Sequence, residues 1–205
     1  MADGGGADVV GSVMDALPSQ PQLMTVPEFL AWKPGDGRRW QLVDGVPQAM
    51  APSNRTHGAL QSELARLIGN HLADTGSAWS VICEPGVQPR ILGALNVRIP
   101  DLAVTATPYA EEEALLNGSV LLVEVLSPSN QAETWSNVWT YTTIPSVQEI
   151  LVLHSAAIAA DVIRRQPDGA WSDVPERIVG DEALVLDSIG FHAPLRLVYR
   201  TTRLA

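Results

Sequence analysis

Cysteine, lysine and long apolar segments are all scarce in this sequence, and each shortage argues against a class of protein. The 205 residues include one cysteine, Cys83, so no disulfide bond can form within the chain. This usage is typical of a reducing compartment, and we expect a cytoplasmic protein. With four scattered histidines, a zinc site has little support. No apolar run reaches the roughly 20 residues of a membrane span, so we expect no membrane partner.

Positive charge is also scarce. Lysine and arginine number 13 against 23 aspartates and glutamates, which gives a net charge of −10, and Lys33 is the only lysine. So acidic a chain argues against tight non-specific binding to nucleic acid, which depends on neutralising phosphates. A local patch of arginines would have to act against the overall field of the protein.

The pattern of apolar residues and turns predicts one domain of mixed secondary structure. Residues 1–24, which contain glycine and proline clusters, are expected to form a flexible leader, and residues 25–205 a single domain. Asp44-Gly45 between two apolar runs predicts a hairpin. We predict helices at about 27–33, 55–74, 131–143 and 195–199, and strands at about 40–43, 46–51, 79–84, 86–92, 96–105, 119–127, 147–154, 157–165, 170–178 and 184–186.

The segment 55–74 is the clearest helix. His57 lies on its apolar face, so we expect this side chain to point inward, either as a core or capping histidine or as part of a site. Glu63 lies to the side of that face and is expected in solvent. The apolar residues that recur at helical spacing and should face a sheet are Leu60, Leu64, Leu67, Ile68 and Leu72.

Two carboxylates inside apolar strands are the most informative residues. Asp101 follows Pro100 and precedes a run of aliphatic residues, and Glu124 lies within the run LLVEVL. Burying an ionised carboxylate there is costly unless a metal, a partner group or solvent meets it. Neighbouring strands bring two such side chains close together when they lie at matching heights. Their oxygens would suit Mg²⁺ or Mn²⁺, which keep water ligands and accept phosphate oxygens.

Polar residues on the preceding strands add further candidates. Glu84 ends an apolar strand and is a third candidate acid. Residues 93–96 can close a hairpin between the next two predicted strands. In that register Gln88 falls opposite Asp101, and Arg90 lies two residues further along the same face.

The turn after Glu124 introduces the next helix. Ser127-Pro128-Ser129-Asn130 stops the strand, and Asn130 followed by Glu133 fits a variant of the capping box. Ser127 and Asn137 join the candidate site residues. The alternative for Asn137 is a structural role on the helix surface.

Motifs for two other kinds of chemistry are absent. The sequence has no G-x-x-x-x-G-K-[ST] loop to hold a nucleotide phosphate. It also has no G-x-S-x-G motif of a serine hydrolase. The two acids instead favour metal-assisted hydrolysis, in which a bound ion polarises a phosphodiester and lowers the pKa of the attacking water.

Pro100-Asp101, followed by Glu124-Val125-Leu126 on the next strand, resembles the PD-(D/E)XK motif of restriction-endonuclease-like nucleases. Five stretches are similar to one bacterial family, the Uma-two family of restriction endonucleases: WQLVDGVPQAMAPSNRTHGALQSELARLIGNHL, CEPGV, NVRIPDLAV, LLVEVLSPSN and YTTIPSVQEILVL. They cover most of residues 25–200, so the chain is identified as a member of that family.

The resemblance implies an α/β (α+β) fold with a restriction-endonuclease-like core. In this core a central mixed sheet is flanked by helices, in the order helix, three strands, helix, strand, with an N-terminal hairpin and C-terminal antiparallel strands added. It further implies a metal site formed by Asp101, Glu124 and the Val125 main-chain carbonyl, and it places His57 and Glu84 among the catalytic residues. The implied substrate is nucleic acid, DNA in the first place. Action on two strands needs two active sites, so a homodimer is expected by analogy.

One departure from the superfamily pattern concerns its lysine. That lysine belongs two residues after the glutamate, where this chain has Leu126, and the alternative position on the following helix falls near Asn137. Neither residue supplies a cation to stabilise developing charge, and Arg90 is the nearest substitute. Two functions are therefore expected as alternatives. The first is a metal-dependent nuclease, and the second is a catalytically impaired domain that binds nucleic acid or assembles with proteins. A protein-interaction domain without a nucleic-acid partner is the third alternative.

Overall fold

The computed structural model describes residues 23–108 and 113–205. Its helices are α1 (Val26–Ala31), α2 (Arg55–Asp74), α3 (Gln131–Tyr141) and α4 (Leu195–Tyr199). Its strands are β1 (Trp40–Val43), β2 (Val46–Ala49), β3 (Ser80–Cys83), β4 (Leu102–Thr105), β5 (Ser119–Leu126), β6 (Glu149–His154), β7 (Ala159–Arg164), β8 (Glu176–Val179), β9 (Ala183–Leu186) and β10 (Phe191–Pro194). Two short 3₁₀ helices span Gly93–Leu95 and Asp187–Ile189.

Six strands form the central sheet, in the order β3-β4-β5-β6-β7-β8. β5 and β6 run parallel and are connected through α3, whereas the other neighbouring pairs are antiparallel. Parallel neighbours require a crossover connection, and a helix is the usual one. The chain order α2, β3, β4, β5, α3, β6 is the core that the resemblance implies, and the separate strand predicted at 86–92 is not formed. The predicted mixed sheet with flanking helices is confirmed.

Alternate residues of β5 face different layers of the core, as the period of two along a strand requires. Val123 and Val125 pack with the apolar face of α2, with α4 and with the C-terminal strands. Leu122 and Leu126 pack on the opposite face with residues of α3. Glu124 shares this second face, so its side chain points toward α3.

The predicted N-terminal hairpin is present. Its turn residues Asp44 and Gly45 have φ angles of 49° and 82°, the left-handed conformation that a two-residue hairpin turn requires. The amide of Leu42 donates to the carbonyl of Val97 at 2.8 Å, and the amide of Val97 donates back at 3.0 Å. The hairpin is thereby fixed to the segment that leads into Asp101.

The segment between β3 and β4 differs from the prediction. Val87 and Arg98 form an isolated bridge in place of the predicted hairpin ladder. Pro89 has no backbone N–H and cannot continue the pairing. This bridge displaces Gln88 from the expected position opposite Asp101, so the predicted register is wrong.

Two further differences concern strand bounds. Regular pairing of β4 begins at Leu102, whereas the sequence predicts a strand from residue 96. Pro100 explains the late start, because it has no N–H to donate to the ladder. β10, which pairs with β9, is absent from the prediction. The alternation of buried and exposed residues in β10 is too short to distinguish a strand from a turn in the sequence.

Glu63 is buried, and the expectation that it lies in solvent is wrong. Its carboxylate accepts a hydrogen bond from Arg66 at 2.6 Å and pairs with Arg200 at 2.6 Å. The hydrogen bond from Arg66 lowers the pKa of Glu63 despite its burial, and the bond from Arg200 adds to this. The burial arises because α4 packs against α2, a contact between distant parts of the chain.

Most of the predicted leader, residues 1–22, lies outside the described residues. Met24 is described, and its amide donates to the Gly45 carbonyl at 2.8 Å. Within the two described segments, no helix combines the length and apolar character needed to cross a bilayer.

Candidate active site

The strand register brings Asp101 and Glu124 together. Leu102 pairs with Val123 across β4 and β5, so one further step along this antiparallel register sets Asp101 opposite Glu124. Side chains directly opposite each other lie on one face, with Cβ atoms about 5 Å apart. Each of the two acids is 7% exposed, and both line one small cavity of about 90 Å³. We call this the acid-pair cavity.

The carboxylate of Asp101 is held through both oxygens. His57 Nε2, in the first turn of α2, lies 2.7 Å from Oδ1, and the main-chain amide of Val125 donates to Oδ2 at 2.7 Å. The side chain of Gln61 donates to the Asp101 carbonyl at 2.9 Å. His57 therefore points inward, as the sequence predicts, and its partner is the first acid.

The main chain of Val125 also faces Asp101. In a strand the N–H and C=O of one residue point to the same side. Since the Val125 amide donates to Asp101 Oδ2, its carbonyl oxygen lies on the same side of β5. Val125 itself does not line the acid-pair cavity, so the ligand role that the resemblance implies for its carbonyl stays a prediction.

Glu124 is buried against α3. The Tyr141 hydroxyl donates to Glu124 Oε1 at 2.6 Å. Burial raises the pKa of Glu124 well above its ordinary value, and the negative charge of Asp101 raises it further. Hydrogen bonds from Tyr141 and Asn137 oppose this rise. Burial, together with the charge of Glu124, also raises the pKa of Tyr141 well above its ordinary value.

Replacing Tyr141 by phenylalanine removes a hydrogen bond that stabilises ionised Glu124. We expect Tyr141→Phe to raise the pKa of Glu124 further and to cost about 1–3 kcal/mol of stability, since a buried acceptor loses its donor. Thermal denaturation from pH 5 to pH 9 measures this, because the deficit should grow with pH. Tyr199→Phe is the matched control: its hydroxyl donates to the carbonyls of His154 and Ala159, remote from the acid pair. A deficit that does not vary with pH in Tyr141→Phe would contradict the expectation.

The donor set fits a hard divalent cation. Among residues 23–108 and 113–205, no cluster of three or more histidine, cysteine, aspartate or glutamate side chains could hold a metal. A metal at Asp101 and Glu124 would therefore complete its shell with the Val125 carbonyl and water. Mg²⁺ commonly binds in this way, through one or two carboxylates and several waters. The mutual repulsion of the two acids is what such a cation would relieve.

Glu84 does not join the acid pair. Its carboxylate forms an ion pair with Arg39, and its main-chain amide donates to the Asp101 carbonyl at 3.0 Å. Its φ angle of 53° is unusual for a residue other than glycine. Glu84 and Arg39 line a second cleft of about 720 Å³ beside the acid-pair cavity. We call this the outer cleft.

Gln88 and Arg90 lie outside the acid-pair cavity. Gln88 Nε2 donates to the Gly93 carbonyl at 2.6 Å, and the Arg90 amide donates to Thr143 Oγ1 at 3.0 Å. Both residues line a separate cavity near Pro145. Their predicted places depended on the hairpin register, and that register is wrong.

The start of α3 differs in detail from the prediction. Asn130 Oδ1 accepts from the amide and hydroxyl of Ser127, at 2.7 and 2.9 Å, so it does not cap α3. Glu133 accepts from Gln41 Nε2 at 3.0 Å and not from the Asn130 amide, so the predicted capping box is wrong. The reason is that β1 lies close enough to supply a donor for Glu133. Asn137 lines the acid-pair cavity, whereas the Ser127 hydroxyl is occupied within its own turn.

Sequence reasoning missed several residues around the acids, including Tyr141 and Gln61, which hydrogen-bond to Glu124 and Asp101. Arg39, directly before β1, and Gln41, within β1, line the acid-pair cavity. Arg98 is buried, and burial lowers the pKa of its guanidinium. Its Nε has no hydrogen-bond partner among the described residues. A charged residue inside the apolar run NVRIPD was the available signal for Arg98, whereas nothing local marks Arg39.

Comparison with known proteins gives a family match. Residues 26–196 match the model of the Uma2 family, described as "Putative restriction endonuclease". The chain is 29% identical over 189 residues to "Uncharacterized protein slr1290" of Synechocystis sp.. That alignment covers 89% of this chain and 95% of the cyanobacterial protein.

A solved structure shares the fold. It is the crystal structure of "a putative nuclease belonging to DUF820" from Anabaena variabilis, with a TM-score of 0.69 and 18% sequence identity. The superposition covers 86% of this chain and 97% of the other. Because the family match spans the N-terminal hairpin, both acids and the C-terminal strands, the chain belongs to the Uma2 family of restriction-endonuclease-like proteins.

Proposed function

We propose that the protein is a metal-dependent nuclease that hydrolyses phosphodiester bonds, with Asp101 and Glu124 holding Mg²⁺ or Mn²⁺. The observation that carries the proposal is the buried acid pair, set face to face across β4 and β5. Two acids in an apolar core are costly to keep ionised, and a divalent cation offsets that cost. Such an ion, when bound, supplies polarisation of the phosphodiester and a lowered pKa of the attacking water.

The chain's own residues prepare the site. His57 and the Val125 amide fix the two oxygens of Asp101, so this carboxylate is oriented before any ligand arrives. Tyr141 fixes Glu124 in the same way. Preorganised groups of this kind need no rearrangement during the reaction. In this proposal His57 acts on the reaction through Asp101.

The remaining parts of the proposal concern the partners. DNA is the proposed substrate, on the strength of the family to which the chain belongs. Cutting both strands needs two active sites, which a homodimer would supply. A single cysteine fits a reducing cytoplasm.

A catalytically impaired nuclease-like domain is the second candidate function. Leu126, at the superfamily position of the lysine, is buried among apolar side chains, and Asn137 occupies the alternative position. A domain of this kind would bind nucleic acid or assemble with proteins without turnover. It would keep the acids for stability or metal binding alone.

Calorimetric titration of the metal-free protein with Mn²⁺ and Mg²⁺ tests the acid pair. We expect binding in the wild-type protein and its loss in Asp101→Ala/Glu124→Ala. Asp101→Asn/Glu124→Gln keeps the side-chain shapes and guards against misfolding, and Asp173→Asn is a control at an exposed acid. Absence of wild-type binding at millimolar metal would contradict the proposal. Cleavage of labelled DNA by the metal-loaded protein then separates a nuclease from an impaired domain.

A further inference from the structure

The chain has no lysine at either position that the superfamily pattern gives, so the acid-pair cavity lacks the cation that this lysine supplies. A nuclease must stabilise the negative charge that develops on the phosphate, and fixed cationic donors do this most effectively. Among the described residues that line the cavity, Arg39 is the one lysine or arginine. Arg98 is buried nearby, and it does not belong to that lining.

Arg39 is held on a rigid support. It directly precedes β1, and its carbonyl accepts from the amide of Met50 at 2.9 Å, which closes the open end of the hairpin. The paired hydrogen bonds between Leu42 and Val97 fix the same hairpin to the segment leading into Asp101. The main chain of Arg39 is therefore positioned relative to the acids by two independent contacts.

The side chain of Arg39 lies where the two cavities meet. Four residues line both the acid-pair cavity and the outer cleft: Arg39, Met50, Ala51 and Ser53. A strand of nucleic acid that enters through the outer cleft would pass this guanidinium before reaching the acids. The Arg39 side chain is 40% exposed, so a ligand in the cleft can contact it.

Glu84 holds the guanidinium in the absence of substrate. It forms the ion pair with Arg39, and its own amide donates to the Asp101 carbonyl. Its positive φ angle of 53° is the kind of backbone strain that clusters at functional sites. A phosphate can compete for this arginine, because a guanidinium binds carboxylates and phosphates through the same pair of donors.

We propose that Arg39 is a catalytic residue that contacts the scissile phosphate in place of the superfamily lysine, and that Glu84 holds it until the phosphate binds. This proposal rests on the proposed nuclease function. Arg39 stays protonated throughout: the water oxygen forms the new bond to phosphorus, and the bond from phosphorus to the leaving oxygen breaks. The attacking water gives a proton to solvent, and the leaving oxygen takes one up. Arg39 contributes charge to the transition state and transfers no proton.

Cleavage kinetics of Arg39 variants test this role. The probe is a labelled DNA duplex with Mn²⁺, and kcat and KM are measured separately. We expect Arg39→Gln to lower kcat by about 100-fold, the usual effect of removing one preorganised donor. Arg39→Lys should recover part of the loss, because it restores the charge without the planar fork. Arg196→Gln, which removes an exposed arginine paired with Asp181, is the matched control and should keep the wild-type kcat.

The possible results separate this inference from the nuclease function. Wild-type kcat in Arg39→Gln would overturn the role of Arg39 and leave the nuclease intact. If Arg39→Lys loses as much kcat as Arg39→Gln, and the Tm falls as well, Arg39 is a structural residue. That result would also overturn its catalytic role. A wild-type protein that binds Mn²⁺ at the acids without cleaving DNA would overturn both proposals while keeping the metal site. A wild-type protein that neither binds metal nor cleaves would overturn all three.

Discussion

Glu124→Gln is expected to abolish cleavage and at the same time to stabilise the metal-free protein. The loss of cleavage should be at least about 1000-fold, as for residues that act as a unit with their partners. Stability should rise because glutamine carries no charge into a buried position that faces Asp101, Tyr141 and Asn137. Opposite effects on cleavage and stability are typical of a residue kept for function.

The pH dependence of this stability has a defined sign. The folded protein holds the proton of Glu124 more tightly than the unfolded chain does, since burial and Asp101 raise its pKa above the ordinary 4.5. Stability is therefore greatest below the unfolded pKa and falls as the pH rises through the folded pKa. Glu124→Gln removes this fall. The advantage of the variant should be small near pH 4 and should grow toward pH 8.

Thermal denaturation in EDTA from pH 4 to pH 9 measures the difference between Glu124→Gln and the wild type. At pH 8 we expect the variant to melt at least about 2–4 °C higher, the shift that 1 kcal/mol produces in a chain of this size. Mn²⁺ should raise the Tm of the wild type but not that of the variant. Asp173→Asn, at an exposed acid, should follow the wild type. A variant less stable than the wild type at every pH would show that ionised Glu124 makes net favourable contacts.

Asn137→Lys is expected to raise kcat by roughly 100-fold, the effect that one fixed cationic donor commonly has. Asn137 lines the acid-pair cavity on α3, one turn before Tyr141. Its Oδ1 has no hydrogen-bond partner within the described chain. Its amide donates a hydrogen bond to Glu124, and the ammonium of a lysine is also a donor. The resemblance to the family places a lysine near this position, close to the charge that develops during hydrolysis.

The control for Asn137→Lys is Asn137→Met, which has a long flexible side chain without charge. Cleavage of labelled DNA with saturating Mn²⁺ compares the two variants and the wild type. A gain in both variants would point to a change of shape and not to charge. A lysine variant that binds Mn²⁺ but cleaves no faster would mean that positive charge does not limit the reaction. In an Arg39→Gln background, Asn137→Lys should restore more activity than Asn137→Met.

Features set by nearby residues could be predicted from the sequence. α2 has the predicted bounds, because its apolar residues recur at helical spacing and Asn54 accepts a hydrogen bond from the His57 amide at the N-terminus. The Asp44-Gly45 turn also follows from local chemistry, since both residues accept positive φ angles. The acid pair could be identified from sequence for a related reason: a carboxylate in an apolar run is costly wherever the run is buried.

Tertiary structure alone decided how the remaining site residues are arranged. Gln88 and Arg90 depended on a strand register, and one isolated bridge at Val87 moved them to another cavity. Local preference does not fix the register of a strand. A shift of one residue keeps a similar turn chemistry but moves every side chain to the opposite face of the sheet.

The contacts that surround the two acids join residues far apart in the sequence. His57 reaches Asp101 across 44 positions, and Gln41 reaches Glu133 across 92. The pair of Arg39 and Glu84 likewise depends on the hairpin lying against the edge of the sheet. The sequence by itself therefore identified the family and the order of its core elements through the resemblance, and it marked the two acids through the cost of buried charge. Only the packing of distant segments decided which groups surround those acids, because such contacts leave no pattern in the local sequence.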